Sequence, residues 1–230
     1  MKTIELHRSI TESNDADAKR LREELTRRGI LLVNIMSAAG SGKTTLLMRL
    51  IKDLKDSADI YVLEADIASD VDAKSVENAG AQSIQAHTDG MCHMDAGMTE
   101  DALRALLCDA GSKAGRPAAV FLENVGNLIC PAEYDTGAHL NVMLLSVPEG
   151  DDKPLKYPLM FEKSDVLVIT KTDALPFFDF SMEKALERAA HLNPSIDIYP
   201  VSAKTGDGMK ALEDRIIAAA RHIAGGPHNA

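Results

Sequence analysis

The chain has no tryptophan, three cysteines and 4% aromatic residues. No apolar run approaches the ~20 residues of a membrane-spanning helix, and the first residues lack the apolar core of a signal peptide. An odd and small number of cysteines argues against a disulfide framework and is typical of thiol or metal chemistry in the cytosol. We therefore expect a cytoplasmic protein with no membrane partner.

Positive charge is also scarce, because 25 Lys and Arg residues stand against 35 Asp and Glu residues, for a net charge of −10. Nucleic-acid binding depends on neutralising phosphates with Lys and Arg, so we expect no nucleic-acid partner. The 230 residues are 45% hydrophobic, which is enough for the core of a single folded domain.

Short apolar runs alternate with helix-like runs along most of the chain, and this alternation predicts an α/β fold with a mostly parallel sheet and helices on both faces. We expect a helical extension over 1–29, with its helix at 15–28, a core over 30–224 and a frayed tail over 225–230. Strands are predicted over 30–36, 60–65, 81–87, 118–123, 141–147, 166–171 and 196–201. Helices are predicted after residue 44 and over 70–79, 99–108, 181–192 and 207–223.

The most informative segment is 37–44, which reads S-A-A-G-S-G-K-T between a predicted strand and a predicted helix. This is the layout of a P-loop, whose backbone N–H groups surround phosphate oxygens at a helix N-terminus. An ordinary glycine-rich turn is the alternative, and Ser37 stands where a P-loop usually has glycine. We expect Lys43 to reach the β- and γ-phosphates. The predicted phosphate-site residues are Gly40, Ser41, Gly42, Lys43, Thr44 and Thr45.

Two later segments predict that the base is guanine. Residues 170–173 read T-K-T-D and 202–204 read S-A-K, similar to the N-K-x-D and S-A-K motifs of GTPases. A carboxylate at Asp173 can accept hydrogen bonds from both donors on the edge of guanine, which adenine does not offer. Thr170 replaces the usual Asn, and the alternative is that Asp173 only caps a turn. The predicted guanine-site residues are Lys171, Asp173, Ser202, Ala203 and Lys204.

Acidic residues close the second and fourth predicted strands. Asp66, Glu123 and Thr44 are predicted to contact Mg²⁺. The candidate catalytic residues are Lys43, Asp66 and Glu123. Gly126, in E-N-V-G, is expected to present its N–H to the γ-phosphate and to release its loop when that phosphate is lost. The alternative is that these acidic residues are simply solvated because they lie at strand ends. In either case, the sequence does not identify a general base.

Cys92, His93 and Cys130 follow the third and fourth predicted strands, which end at the same edge of a parallel sheet. Thiolate and imidazole groups suit Zn²⁺ and Ni²⁺, and a second copy of the chain could complete such a three-ligand site. The alternative is two buried thiols and a solvated histidine. Cys108 lies within an apolar helical pattern and is expected in the core.

Several segments together resemble the HypB family of hydrogenase nickel-incorporation GTPases, which belong to the SIMIBI class. The resemblance implies a GTPase that dimerises around its nucleotides and controls nickel delivery during maturation of nickel–iron hydrogenase. It also implies that Cys92, His93 and Cys130 hold Ni²⁺ or Zn²⁺ near the dimer interface, and that a nickel-binding maturation partner and the hydrogenase large subunit are partners. The matching segments are 37–47, 64–70, 89–96, 121–131, 146–158, 170–173 and 202–206.

The N-terminal region departs from this family because it lacks a Cys-rich or His-rich stretch, so we expect no second tight nickel site. Three other classes remain open: a urease-type nickel GTPase, a P-loop kinase and a zinc-stabilised binding module. Lys153, in the turn-rich loop 150–158, reaches a phosphate or a partner chain in one interpretation and is a solvated loop lysine in the other.

Overall fold

The structure is a computed structural model. It describes residues 3–65, 76, 79–86, 88, 90–107 and 116–226, with the backbone alone over 3–11. Asp66, Cys108, most of the predicted helix 70–79 and the last four residues of the predicted tail lie outside the described residues.

Seven parallel strands form one sheet in the order β3-β2-β4-β1-β5-β6-β7. The prediction was a mostly parallel sheet, and every described strand is parallel to its neighbours. The strands are β1 Ile30–Ser37, β2 Asp59–Glu64, β3 Gln82–Gln85, β4 Ala118–Glu123, β5 Leu140–Ser146, β6 Val166–Thr170 and β7 Asp197–Pro200.

Helices cover both faces of the sheet, as the sequence pattern predicts. On one face, α2 and α8 pack over the central strands, and on the other face α1, α3, α6 and α7 complete the core. No helix in the described ranges is both long and apolar enough to span a membrane. The helices are α1 Thr3–Arg27, α2 Lys43–Leu54, α3 Ala96–Leu107, α4 Cys130–Glu133, α5 Lys153–Lys156, α6 Pro158–Glu162, α7 Met182–Leu192 and α8 Met209–Ala224.

The central strands are continuous apolar runs because both of their faces are covered. All eight residues of β1 and all six of β4 are buried, which is the pattern of a parallel sheet between two helical layers. The strands therefore bring their carboxyl ends to one edge, where the loops after β4, β1 and β5 are direct neighbours. This edge carries the predicted P-loop and both predicted metal-binding segments.

Helix α1 begins earlier than its sequence pattern predicts, at Thr3 rather than Asp15. Its apolar stripe starts only at Ala18 and continues through Leu21 and Leu25, which are buried. A helix is recognised in a sequence by apolar residues that recur at helical spacing, and the first turns of α1 lack such a repeat. The helix ends at Arg27, and the chain turns away at Gly29, whose φ of 68° lies in the left-handed region that glycine adopts without strain.

Candidate nucleotide and metal site

The P-loop joins the end of β1 to the start of α2, as predicted. Gly40 and Gly42 have φ values of 77° and 97°, so both positions require the conformational freedom of glycine. Lys43 is only 6% exposed, and its ammonium group donates a hydrogen bond to the Ser37 hydroxyl at 3.2 Å. Ser37, the departure from the usual P-loop pattern, therefore holds the lysine beside the loop.

Ser41, in the middle of the P-loop, is held by Glu149 from the 3-10 turn after β5 and by Thr170 at the end of β6. Its hydroxyl donates to Glu149 Oε2 at 2.7 Å, and its carbonyl accepts from the Thr170 hydroxyl at 2.7 Å. Thr170, which stands where the usual motif has Asn, therefore bonds the P-loop directly. Glu149 was missed, although Ser146 and Glu149 form the S-x-x-E pattern of a capping box that could have drawn attention to it.

The predicted magnesium residues Thr44 and Glu123 lie together. The Thr44 hydroxyl donates to Glu123 Oε1 at 2.8 Å, across from the end of β4 to the first turn of α2. Hydroxyl and carboxylate oxygens are the ligands that Mg²⁺ prefers, so this pair fits that ion. The third predicted residue, Asp66, lies outside the described part of the chain.

Gly126 lies directly against the P-loop. A Cβ atom at this position would approach the Ala39 Cα atom to 3.2 Å and the Ala39 nitrogen to 3.3 Å. Because those are backbone atoms, a larger residue would push the two loops apart. The segment after β4 is therefore close enough to the phosphate loop for the γ-phosphate-sensing role predicted for Gly126.

Four of the five predicted guanine residues, all but Ser202, border one cavity of about 260 Å³ next to the P-loop. The Asp173 carboxylate accepts a hydrogen bond at Oδ1 from the Ser202 hydroxyl at 2.7 Å, so the two predicted motifs are in contact. Lys171 crosses the P-loop, donating to the Gly40 carbonyl at 2.7 Å. Its φ of 60° is the one positive value among the described non-glycine residues, and such strain concentrates at binding sites. The cavity is lined by Ser41, Gly42, Thr45, Leu46, Thr170, Lys171, Asp173, Ala174, Ala203 and Lys204.

Cys92, His93 and Cys130 converge, as their placement on the sheet edge predicts. Their donor atoms all lie within 4.8 Å of one another, and the Cys92 sulfur is 3.7 Å from His93 Nδ1. A tetrahedral ion with bonds of ~2.3 Å to sulfur and ~2.0 Å to nitrogen places such atoms about 3.5 Å apart. The three side chains therefore fit one thiophilic ion such as Zn²⁺ or Ni²⁺.

The pKa shifts of His93 and Cys92 act in opposite directions on metal binding. Burial lowers the pKa of His93, which keeps the imidazole neutral and available as a ligand. The neighbouring Cys130 side chain raises the pKa of Cys92, so the apo thiol holds its proton near neutral pH. Metal binding would then release a proton.

Tyr134 and Asn127, which the sequence did not single out, support the cluster. The Tyr134 ring stacks on His93 with centroids 3.9 Å apart, and His93 Nε2 is buried without a hydrogen-bond partner among the described residues. The Asn127 side chain accepts from the backbone N–H of Ile129 at 2.7 Å and of Cys130 at 3.4 Å. An asparagine that bonds the backbone two residues on is a common turn signal, but nothing in the sequence indicates the stacking partner.

The buried Asn124 connects the metal cluster to the sheet. Its carbonyl oxygen accepts from the Met94 N–H at 3.3 Å, and its amide donates to the Asn34 side chain at 3.1 Å. Asn34 lies on β1, the strand that leads into the P-loop. The segment carrying Cys92 is thus held to the strands on which the nucleotide site is built.

This fold and site define a P-loop nucleotide-binding domain with a candidate thiolate and imidazole metal site beside its phosphate loop. A family model described as the CobW/HypB/UreG nucleotide-binding domain matches residues 31–200, and the chain belongs to this family. The family resemblance and the P-loop NTPase fold expected from the sequence are both confirmed.

Individual relatives support the same assignment. The chain is 44% identical to the hydrogenase maturation factor HypB of Rhizobium leguminosarum bv. viciae over 209 residues, which are 91% of this chain and 68% of that protein. It is 40% identical to the hydrogenase/urease maturation factor HypB of Helicobacter hepaticus over 217 residues, 94% of this chain and 87% of that one. A crystal structure of HypB from Helicobacter pylori in complex with nickel matches with a TM-score of 0.83 and 37% identity, over 91% of this chain and 95% of that chain.

Proposed function

We propose that this protein is a GTPase that binds Ni²⁺ and controls its delivery during maturation of nickel–iron hydrogenase. The observation that carries the proposal is the position of the thiolate and imidazole donors on the segments beside the P-loop. Relatives named as hydrogenase maturation factors, one of them crystallised with nickel, support this reading.

The nucleotide assignment rests on the cavity that Asp173 and Ala203 share with the P-loop. The Asp173 carboxylate is held by Ser202, which leaves its second oxygen and remaining lone pairs to accept from N1–H and the exocyclic amine of guanine. Adenine lacks this pair of donors, and a desolvated carboxylate left unpaired is costly. GTP and GDP are therefore the proposed ligands.

Hydrolysis of GTP is proposed to depend mainly on positioning and charge, as in other phosphoryl transfers. Lys43 would contact the β- and γ-phosphates, and Glu123 with Thr44 would hold Mg²⁺, with Asp66 as a third candidate. Mg²⁺ supplies charge stabilisation on the phosphate oxygens when it is bound. Gly126 would offer its N–H to the γ-phosphate.

The metal is proposed to be cargo, with Ni²⁺ as the delivered ion and Zn²⁺ as a competitor for the same donors. Cys92, the outermost donor, is exposed and His93 is buried, so the site opens to solvent on its thiolate side. Three protein ligands leave a coordination position free. A second copy of the chain would fill it, and a cytoplasmic homodimer linked by nucleotide or metal is the proposed assembly.

Nucleotide and metal are proposed to be coupled through the loop after β4. Gly126 and Cys130 are separated by at most roughly 14 Å of extended chain. Movement of Gly126 on loss of the γ-phosphate would therefore alter the position of Cys130 and the affinity for nickel.

Phosphate release from GTP and from ATP, with and without Ni²⁺, tests the proposed function. We expect Mg²⁺-dependent release of phosphate from GTP and no release from ATP. Conversion of ATP to ADP with transfer of the phosphoryl group to a small molecule, and without matching release of free phosphate, would favour a P-loop kinase. No release from either nucleotide, together with unfolding on chelation of Zn²⁺, would favour a zinc-stabilised binding module.

Delivery of nickel to urease is a second candidate, because one relative is named as a hydrogenase/urease maturation factor. Complementation of hosts that lack either maturation pathway separates the two. Restoration of hydrogenase activity alone supports the main proposal, and restoration of urease activity alone would replace it.

A further inference from the structure

Helix α1 lies outside the residues matched by the family model, which begin at 31. It nevertheless contacts both segments that carry the candidate metal ligands. Asn14, only 8% exposed, accepts from the Ala96 N–H at 3.0 Å with its carbonyl oxygen and donates to the Asp135 carbonyl at 3.0 Å with its amide.

These two backbone groups belong to different metal segments. Ala96 starts α3, three residues after His93, and Asp135 follows Tyr134, the residue that stacks on His93. One side chain thus bridges the segment of Cys92 and His93 and the segment of Cys130. Its two bonds set the distance between the two segments at Ala96 and Asp135, a few residues from the metal ligands themselves.

Other contacts fix α1 against the same segments. The Arg22 guanidinium donates to both Asp135 carboxylate oxygens at 2.7 Å, and its Nε donates to the Ala138 carbonyl at 2.8 Å. Gly137 packs so closely that a Cβ atom there would lie 3.1 Å from the Ala18 carbonyl. On the other segment, Arg20 pairs with Glu100 of α3 at 2.9 Å.

From these contacts we infer that α1 positions the metal centre, and that Asn14 is its principal positioning residue. The helix fixes the spacing of the two segments, so the donor atoms are already close before an ion arrives. A preorganised site loses less conformational entropy on binding than a loose one. The inference rests on the proposed metal site.

Titration of Ni²⁺ and of Zn²⁺ into the full chain and its Asn14 variants tests the positioning role of Asn14. Removal of a residue that supports metal ligands typically lowers metal affinity 10–100-fold, and we expect about tenfold for Asn14→Ala. The thiolate-to-nickel absorption should change in position or intensity. The affinity for a GTP analogue should not change, because Asn14 does not contact the nucleotide residues.

Asn193→Ala is the matched control. Asn193 also donates to a backbone carbonyl of a distant segment, that of Ser164 at 2.8 Å, and accepts from a backbone N–H, that of Ser195 at 3.1 Å, but it lies far along the sheet from the metal cluster. It should lower the melting temperature and leave metal affinity intact. Asn14→Ser offers a neutral hydroxyl and adds no charge beside the Asp135 carbonyl, so it should lower metal affinity no more than Asn14→Ala does, and it serves if the alanine variant does not fold.

The outcomes separate the inference from the function on which it rests. If the parent chain binds neither ion, the proposed function fails. If the parent binds and both Asn14 variants bind as tightly with an unchanged spectrum, or if Asn193→Ala weakens binding equally, the positioning role is wrong.

Discussion

The two sides of the P-loop are built differently. On the guanine side, Thr170, Lys171 and Glu149 bond the loop directly, and the base cavity is bordered by side chains already in contact. On the metal side, the donors are close but not joined to the loop, and Cys92 is exposed. Base recognition is therefore built on bonds to the P-loop itself, whereas the metal donors are brought together independently of the P-loop and stay open to solvent at Cys92, where an ion can enter and leave.

The largest expected effect is on the phosphate side of this comparison. Lys43→Ala removes the buried ammonium group beside the phosphate loop, and we expect GTP hydrolysis to fall at least about 100-fold, the loss typical for one charge-stabilising donor. Ni²⁺ affinity without nucleotide should stay unchanged. Single-turnover phosphate release measures the first and a metal titration the second, with the exposed Lys52→Ala in the same helix as control. Equal losses in both variants would contradict the assignment.

On the guanine side, Asp173→Asn replaces two charge-assisted bonds to the base, each worth about 1.5–3 kcal/mol. GTP affinity should fall about 100-fold or more, and discrimination against ATP should largely disappear. Competition binding with GDP and ADP measures this. The nearby exposed Asp179→Asn should behave as the parent, and undiminished preference for GDP in the Asp173 variant would show that the cavity does not bind guanine.

On the metal side, Cys92→Ser should weaken Ni²⁺ and Zn²⁺ binding about 100-fold, because an alcohol is a poor replacement for a thiolate ligand at neutral pH. GTP affinity should be unaffected. Affinity in competition with a chromophoric chelator is the measurement. Cys108→Ser, at a position expected in an apolar helix, is the control, and metal loss in that variant rather than in Cys92→Ser would refute the proposed ligands.

The smallest expected effect is on folding stability and comes from His139, which contacts Thr26 near the end of α1. Burial lowers the pKa of His139 to about 4, and its Nδ1 accepts from the Leu32 N–H. The unfolded chain takes up this proton near pH 6.5, so folding stability present at pH 7 is lost as the pH falls toward 4. Between pH 7 and pH 5.5 the free energy of unfolding should fall by about 1 kcal/mol through this one group. Urea unfolding of the parent and His139→Gln checks it, since the variant should lack this share of the pH dependence.

Much of the nucleotide side was predictable because its residues occur in short consecutive motifs. Gly40, Gly42 and Lys43 lie within one loop between a strand and a helix, so local spacing is sufficient. Asp173 and Ser202 are in two motifs, yet each follows a strand of one parallel sheet, and their contact follows from topology. The same reasoning placed Cys92 near Cys130.

The residues that sequence reasoning missed act over long chain separations. Glu149 bonds Ser41 across 108 positions, and Asn14 bonds Asp135 across 121. The capping-box pattern of Ser146 and Glu149 marks a turn but not its distant partner Ser41, and an asparagine in a helix gives no signal of a distant partner at all. The start of α1 was missed for a related reason, since its first turns lack the periodic apolar residues that reveal a helix.

The central claim is that nucleotide state and metal affinity are coupled through the loop that carries Gly126 and Cys130. Ni²⁺ titrations of the protein bound to GDP and to a non-hydrolysable GTP analogue test it most directly. We predict different nickel affinities in the two states, and an equal factor when nucleotide affinity is measured with and without nickel, as linkage requires. Identical nickel affinities and identical association of the chains in the two states would contradict the account.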